Sequence, residues 1–444
     1  MKTIPKGTTT MREPDHLWPA TTTTDAHGLR IGGVLLGDLA REFGTPAFVL
    51  DEEDFRSRCR SWRTAFAGHD VFYAGKAFLC TQVAGWLAEE GLGIDVCSAG
   101  ELRTAQRAGV PGSSMIFHGN NKSTAELEEA VAHGVSLIVI DSVDEIGRLS
   151  ATAVRHDVRQ QVLIRVTPGV EAYTHAHITT GTDDQKFGFS LSTGSAHRAI
   201  SQILRSPGLE LVGLHSHLGS QIMRPDVFEL AAERLVGLMA DTARTHGVLL
   251  RRLDLGGGLG IAYLPGETPL DVGELAPLVI DRVRKACAEA GLPVPRLAVE
   301  PGRAIAGPTT VTLYTVGTIK RQPGLRTWVS VDGGLSDNMR PALYDASYTA
   351  ALAGRAGDRN ADETFTVCGR HCESGDVLVD SVRLPTDLVV GDLLAVPASG
   401  AYHRSMANNY NCQPRPPVVA VRDGTARVLV RRETLDDVLR LDVE

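Results

Sequence analysis

The 444-residue chain has no stretch near the ~18 uninterrupted apolar residues of a membrane-spanning helix. No apolar run follows Lys2 and Lys6, only threonines and charges, so a secretory signal is not expected. Positive charge is not in excess: the formal net charge is −8, which argues against nucleic acid or an acidic membrane as the main partner. The seven cysteines contain no C-x-x-C pair, and Cys368-Gly-Arg-His-Cys372 has a poor spacing for zinc. Without a signal they are expected as reduced thiols in a cytoplasm. The glycine run Gly256-Gly257-Gly258 is not followed by Gly-Lys-Ser/Thr, so it is no Walker loop, and its spacing does not suit a dinucleotide fingerprint.

What remains is ordinary soluble-protein composition, 43% hydrophobic and 22% charged, over enough residues for two or three domains or one large barrel plus a smaller domain. Residues 1 to 27 are rich in Thr and Pro and carry no period, so they are expected to form a loosely ordered arm. From residue 71, strand-like runs at Val71–Ala74, Ile94–Cys97, Met115–His118, Leu137–Ile140, Val162–Val166, Leu211–His215, Leu253–Leu255 and Leu297–Glu300 alternate with helical stretches. Ala125–His133, Val143–Val154, Phe228–Arg244 and Leu275–Ala290 carry the helical spacing. About eight strand–helix units over roughly 230 residues predict an α/β fold, a (β/α)8 TIM-type barrel, in preference to a doubly wound open sheet. After Gly307 the pattern turns to short β-like segments separated by Gly and Pro. The expected organisation is an arm (1–27), an N-terminal contribution to a β domain (28–51), a barrel (52–307) and a C-terminal β domain (308–444). Leu29–Leu36 and Ala47–Leu50 read as strands that pair with the C-terminal sheet, which makes that all-β domain discontinuous.

Lys76 ends the first barrel run, Val71-Phe-Tyr-Ala-Gly-Lys76. A lysine buried there is disfavoured unless paired or neutralised, and a desolvated amine can form a Schiff base with a carbonyl. The other polar residues at strand ends are Asp95, His118, His215-Ser216-His217-Leu218-Gly219-Ser220, the glycine run and Glu300-Pro301-Gly302-Arg303. Functional groups of such barrels gather at those ends, with phosphate sites after strands seven and eight. Glycines without Cβ atoms let backbone N–H groups approach an anion. A phosphate site together with such a lysine points to pyridoxal 5'-phosphate (PLP), which needs a lysine for its aldehyde, donors for its phosphate and a partner for its ring nitrogen. Glu300 is the candidate partner, against the plainer reading of a carboxylate paired with Arg303. His215 and His217 share one strand face but lack an obvious third ligand, so no metal is expected. His215 reads as a satisfied structural histidine, and His217 as a residue that can stack on a ring.

The ordered series of motifs resembles the fold-type III PLP-dependent decarboxylases, and within them the branch that acts on diaminopimelate. It comprises Tyr73-Ala-Gly-Lys76-Ala, Asp95-Val-Cys-Ser-Ala-Gly-Glu101-Leu, His118-Gly-Asn-Asn-Lys122, His215-Ser-His217-Leu-Gly-Ser220-Gln221, the glycine run, Glu300-Pro-Gly-Arg303, Met339-Arg340-Pro-Ala-Leu-Tyr344, His371-Cys372-Glu373-Ser-Gly-Asp376 and Gly400-Ala-Tyr402. The resemblance spans residue 29 to the end and implies roles. Lys76 would carry PLP, His217 would stack on its ring and Glu300 would face its nitrogen. Ser220, Gly257, Gly258 and Arg303 would surround the phosphate, with Asp95, Gly302 and Tyr402 also at the cofactor. Arg303, Arg340, Tyr344, Glu373 and Tyr402 would read the substrate. Cys372 would come from the partner subunit of a homodimer and donate a proton. The implied reaction converts meso-2,6-diaminopimelate to L-lysine and CO2. Its substrate keeps a distal ammonium and carboxylate, which suit Glu373 and Arg340. The chain departs from many relatives at Phe78 and at Asn411-Cys412-Gln413-Pro414-Arg415-Pro416.

The alternative within the family is a decarboxylase of ornithine, arginine, carboxynorspermidine or a carrier-bound amino acid, and a simple diamine product needs no arginine for a second carboxylate. An alanine-racemase-like enzyme would place an arginine, not Glu300, at the pyridine nitrogen. A non-catalytic PLP-binding homologue would be expected to lose Lys76 or Cys372.

Overall fold

The computed structural model describes residues 16–170, 185–357 and 362–443. The chain divides into two compact units. One comprises Arg56–Ile261 and Pro269–Ile305; the other comprises the chain through Phe55, Ala262–Thr268 and everything from Ala306.

The first unit is a closed barrel of eight parallel strands: Asp70–Ala74, Gly93–Val96, Met115–Phe117, Leu137–Ile140, Gln160–Thr167, Leu209–His215, Arg252–Asp254 and Arg296–Val299. Closure is made by the eighth strand pairing with the first, Ala298 opposite Asp70 and Val299 opposite Val71. Because side chains alternate along a strand, one set points into the barrel. Phe72, Ile116, Leu137, Val139, Leu163, Val212 and Ala298 form a buried apolar cluster there. Two residues further along the third, fourth, fifth and eighth strands stand His118, Asp141, Arg165 and Glu300, all buried. The period that builds the apolar layer therefore delivers a polar layer at the C-terminal end.

The expected helices are present as Thr124–Ala132, Val143–Arg155, Asp226–His246 and Val272–Ala290. Three more, Thr81–Glu89, Ala99–Arg107 and Ser195–Leu204, complete further crossovers. No helix among the described residues is long and apolar enough to cross a membrane.

The second unit is mostly β rather than all β, with short helices at Leu36–Phe43, Arg340–Tyr344 and Leu435–Leu439. Its discontinuity is explicit: Ala47–Asp51 lies between Thr310–Lys320, antiparallel, and Val418–Arg422, parallel. Val49, Val311, Leu313, Val419 and Val421 from these strands bury against Leu36 and Leu39. The expected single strand Leu29–Leu36 is broken, and its pieces pair with each other and with Thr23–Asp25 in a separate three-stranded sheet, not with the C-terminal strands. Gly32 and Gly33 take φ of 57° and 81°, which turns Gly28–Ile31 back onto Val34–Leu35. A strand at Val377–Pro385, not expected from sequence, pairs with Asp362–Cys368.

Residues 1–15 of the expected loose arm lie outside the described residues. The remainder is tied down: Leu17 is buried, the Ala20 N–H donates to Asp54 at 3.0 Å, and the Thr21 hydroxyl donates to Asp51 at 2.6 Å.

Candidate active site

Backbone bonds carry the parallel ladder one step past the strand ends and fix the residues that follow. The Gly75 N–H donates to the Asp95 carbonyl (2.9 Å), that of His118 to Val96 (2.8 Å), that of Ser216 to Asp254 (2.9 Å) and that of Glu300 to Gly256 (2.9 Å). The Tyr73 hydroxyl donates to the Phe78 carbonyl at 2.8 Å and closes the turn that bears Lys76.

Glu300 is the centre of the polar layer. Its carboxylate lies 2.6 Å from His118 Nε2 and 3.3 Å from His215 Nε2, and the two imidazoles meet edge to face at 4.6 Å. Burial pushes His118 down to about 4 and lowers His215, so both rings are neutral N–H donors near neutral pH. Burial alone would raise Glu300, but His118 and His215 outweigh it and hold the carboxyl well below the usual carboxylate range. Its neighbours respond oppositely. Burial and the charge of Glu300 drive Asp95 and Asp254 well above that range. The layer thus pushes Glu300 and the adjacent acids in opposite directions. The ligand atoms of His118, His215 and Glu300 lie within 4.8 Å of one another.

The glycine run lies beside this centre. A Cβ on Gly257 would stand 2.1 Å from the Glu300 carbonyl oxygen, and one on Gly258 2.3 Å from that of Gly219. Gly256 and Gly258 also have φ of 68° and 117°. The loop is latched to the one before it: the Ile222 N–H donates to the Gly258 carbonyl (2.8 Å) and the Gly260 N–H to that of Ile222 (2.9 Å). The expectation of a free row of N–H donors is only partly met. The Gly256 N–H donates to Asp254 at 2.8 Å and the Gly257 N–H to His217 Nδ1 at 3.3 Å. Close backbone approach is the firmer reason for glycine here. Arg303, buried, donates through Nη2 and Nε to the Ser220 hydroxyl at 2.7 and 3.2 Å. A Cβ on Gly302 would meet those of Ala74 and Ala77 at 3.0 Å.

Lys76 corrects one expectation. The strand before it is buried, but Lys76 itself is exposed in the turn that follows. Its ammonium acts on Asp95 and on His217. His217 is half-buried and, with burial and the nearby Lys76 and Arg165 lowering it well below the ordinary imidazole value, is neutral. Its Nδ1 accepts from Gly257, which places the ring proton on Nε2. Barrel-end residues Lys76, Asp95, His217, Ser220, Gly257, Gly258, Glu300, Gly302 and Arg303 all belong to the barrel unit. Sequence reasoning missed Arg165 and Asp254. Arg165 stands 3.7 Å from Asp141 and acts on Glu300 and Asp95. The available signal was a charge inside an otherwise apolar strand.

The other expected residues belong to the β unit. Arg340 is buried at the start of its short helix; its guanidinium lies over the rings of Tyr263 (4.8 Å) and Tyr348 (5.6 Å) and donates to the Tyr348 hydroxyl. Tyr344 ends that helix, half-buried. Cys372 and Glu373 are exposed. The loop beneath them is fixed by Asp376, which accepts the N–H groups of His371 (2.8 Å) and Leu335 (2.6 Å), and by Asn411, which accepts that of Cys372 (3.0 Å). Tyr402 is half-buried at a φ of 64°, a conformation costly for a side chain of its size.

A buried carboxylate with buried acids around it, a lysine at the mouth and a glycine–arginine cradle define a barrel suited to an aldehyde cofactor bearing a phosphate. The family model of the pyridoxal-dependent decarboxylase pyridoxal-binding domain matches residues 52–307. The chain is a PLP-dependent decarboxylase by family. It is 50% identical over 443 residues to the diaminopimelate decarboxylase of Mycobacterium leprae, covering 98% of this chain and 94% of that one. It is 44% identical over 428 residues to that of Bacillus subtilis, covering 95% and 97%. The crystal structure of diaminopimelate decarboxylase from M. jannaschii in complex with L-lysine is similar at a TM-score of 0.89 and 31% identity, covering 96% of this chain and 98% of that one. The chain belongs to the diaminopimelate decarboxylase family.

Proposed function

We propose that this chain removes CO2 from meso-2,6-diaminopimelate and leaves L-lysine, the last step of lysine biosynthesis, in the cytoplasm. Near-full-length identity to diaminopimelate decarboxylases supports the reaction, and the observation that carries the chemistry is the buried Glu300 carboxylate, 2.6 and 3.3 Å from the imidazoles of His118 and His215. When bound, PLP supplies an electron sink for the carbanion left by decarboxylation.

The residues divide the remaining work. Lys76 would hold the cofactor through its amine. The Glu300 carboxylate would accept the ring N–H and keep that proton in place. His217, neutral and oriented by Gly257, offers a flat face to the ring. Ser220, Gly257, Gly258, Gly302 and Arg303 hold the phosphate, with Asp95 beside the lysine. Arg340 binds the distal carboxylate with a fork already oriented by Tyr263 and Tyr348. Tyr344, Glu373 and Tyr402 complete substrate recognition, and Arg303 reaches the substrate as well. The Cys372 thiol of a second copy would supply the proton that replaces CO2, which makes the proposed active form a homodimer with shared sites.

Lys76→Ala is expected to abolish both the absorbance of lysine-bound cofactor and CO2 release; retained turnover would sink the assignment. Mixed dimers of Lys76→Ala and Cys372→Ala subunits are expected to regain activity through one intact site. A confirmed mixed dimer with none would contradict sharing.

A further inference from the structure

We infer that Asn411 is a positioning residue for the Cys372 thiol: its side-chain oxygen holds both the backbone of Cys372 and the ring of His371, and so sets the direction in which the thiol leaves its loop. The inference rests on the proposed role of Cys372 as proton donor. All the residues it uses belong to the β unit.

The Cys372 N–H donates to Asn411 Oδ1 at 3.0 Å, and His371 Nδ1 lies 3.3 Å from the same oxygen. An amide oxygen only accepts, so Nδ1 carries the ring proton and donates it. The opposite edge of the ring agrees. His371 Nε2 lies 3.4 Å from the Ser336 backbone nitrogen and 2.9 Å from the Ser336 hydroxyl oxygen. A backbone N–H only donates, so Nε2 is bare and accepts. The groups therefore form one directed chain, from Ser336 through the buried His371 ring to Asn411, which also takes the Cys372 N–H. Both lone pairs of the amide oxygen are used, and they fix two consecutive residues of the loop.

Asn411 can act this way because its own segment is held. Its backbone sits at φ 51° and ψ 30°, the left-handed region that asparagine tolerates. The Asn408 N–H donates to the Ser336 carbonyl at 2.9 Å, so the residue that orders His371 also anchors the approach to Asn411. The Asn409 side chain donates to Glu433 at 2.7 Å, and the Tyr410 ring lies 5.5 Å from that of His371. Asn411 itself is exposed. Water competes for hydrogen bonds at such a site, so they add little to folding stability, and what they set is direction.

Asn411→Gly keeps the left-handed backbone and removes the oxygen. In the PLP-loaded enzyme acting on meso-diaminopimelate it is expected to lower kcat about tenfold, with KM and PLP affinity within about twofold of the parent. The solvent deuterium isotope effect on kcat is expected to rise, because a displaced donor slows the proton transfer. Asn411→Asp keeps an accepting oxygen and is expected to stay within about threefold of the parental kcat. Nitrogen NMR shifts of histidine-labelled enzyme, with the His371 signals assigned by their loss in His371→Gln, are expected to place the ring proton on Nδ1; this readout stands even if Asn411→Gly does not fold. Parental kcat and isotope effect in Asn411→Gly, an aspartate variant as slow as the glycine variant, or a ring proton on Nε2 would each overturn the inference. If Cys372→Ala keeps the parental kcat, the proton-donor role fails and the inference with it. A slow Cys372→Ala beside a parental Asn411→Gly leaves the donor role standing and removes only that of Asn411.

Discussion

Gly257→Ala tests whether the cofactor cradle depends on close backbone approach. Gly257 does not occupy the left-handed region, so alanine meets no conformational penalty there and the effect is steric alone. The added Cβ would stand 2.1 Å from the Glu300 carbonyl oxygen, roughly 1.3 Å inside ordinary contact. That oxygen belongs to backbone at a barrel strand end and cannot swing away. Either the glycine loop or the Glu300 segment moves by about an ångström, enough to break hydrogen bonds of ~1–3 kcal/mol. PLP affinity is expected to fall about 10- to 100-fold. Fluorescence titration of apoprotein with PLP gives the dissociation constant, and the apoprotein melting temperature separates local displacement from loss of fold. Gly85→Ala is the control. Gly85 lies in the helix Thr81–Glu89, and a methyl group added there would meet nothing within 4 Å. This variant is expected to leave PLP affinity unchanged while adding ~0.5–1 kcal/mol of stability. A Gly257→Ala protein with parental PLP affinity would refute the steric argument.

Arg340→Leu removes the fork proposed for the distal carboxylate; KM for diaminopimelate is expected to rise about 10- to 100-fold with PLP affinity intact, measured by steady-state kinetics and cofactor titration. An unchanged KM would exclude that role. Asp337 gives a pH prediction. It accepts the Tyr314 hydroxyl at 2.5 Å and the Gly334 N–H at 3.1 Å, and burial pushes it up to about 7 from an ordinary 3.8. Its folded-state value is raised, so its contribution to stability is full below about 4 and is lost as pH climbs to about 7. Asp337→Asn is expected to flatten the decline of melting temperature over that window; identical slopes for parent and variant would contradict it.

The barrel was readable because its strands are short apolar runs whose period changes to helical spacing between them. The eight expected runs coincide with the eight strands. Thr81–Glu89 was not legible as a helix because Gly85 interrupts a short apolar face. Residues 16–25 looked unstructured because what orders them is remote: the carboxylates of Asp51 and Asp54, some thirty positions on. Composition carries no trace of such partners. The strand-end acids and histidines were readable as a set, but their protonation was not. Which of Asp95, Asp254 and Glu300 keeps the charge depends on where His118 and His215 point. Lys76 shows the limit from the other side. An apolar strand predicts burial for the residue that follows it, whereas the chain turns at Gly75 and releases the lysine side chain from the packed strand.

The central claim is that this barrel decarboxylates a diamino diacid. The most direct test incubates the PLP-loaded protein separately with meso-diaminopimelate, ornithine and lysine and measures released CO2. Release from diaminopimelate with stoichiometric L-lysine, and little from the other two, is the predicted result. Release from ornithine or lysine at a comparable rate, or none from diaminopimelate, would contradict it.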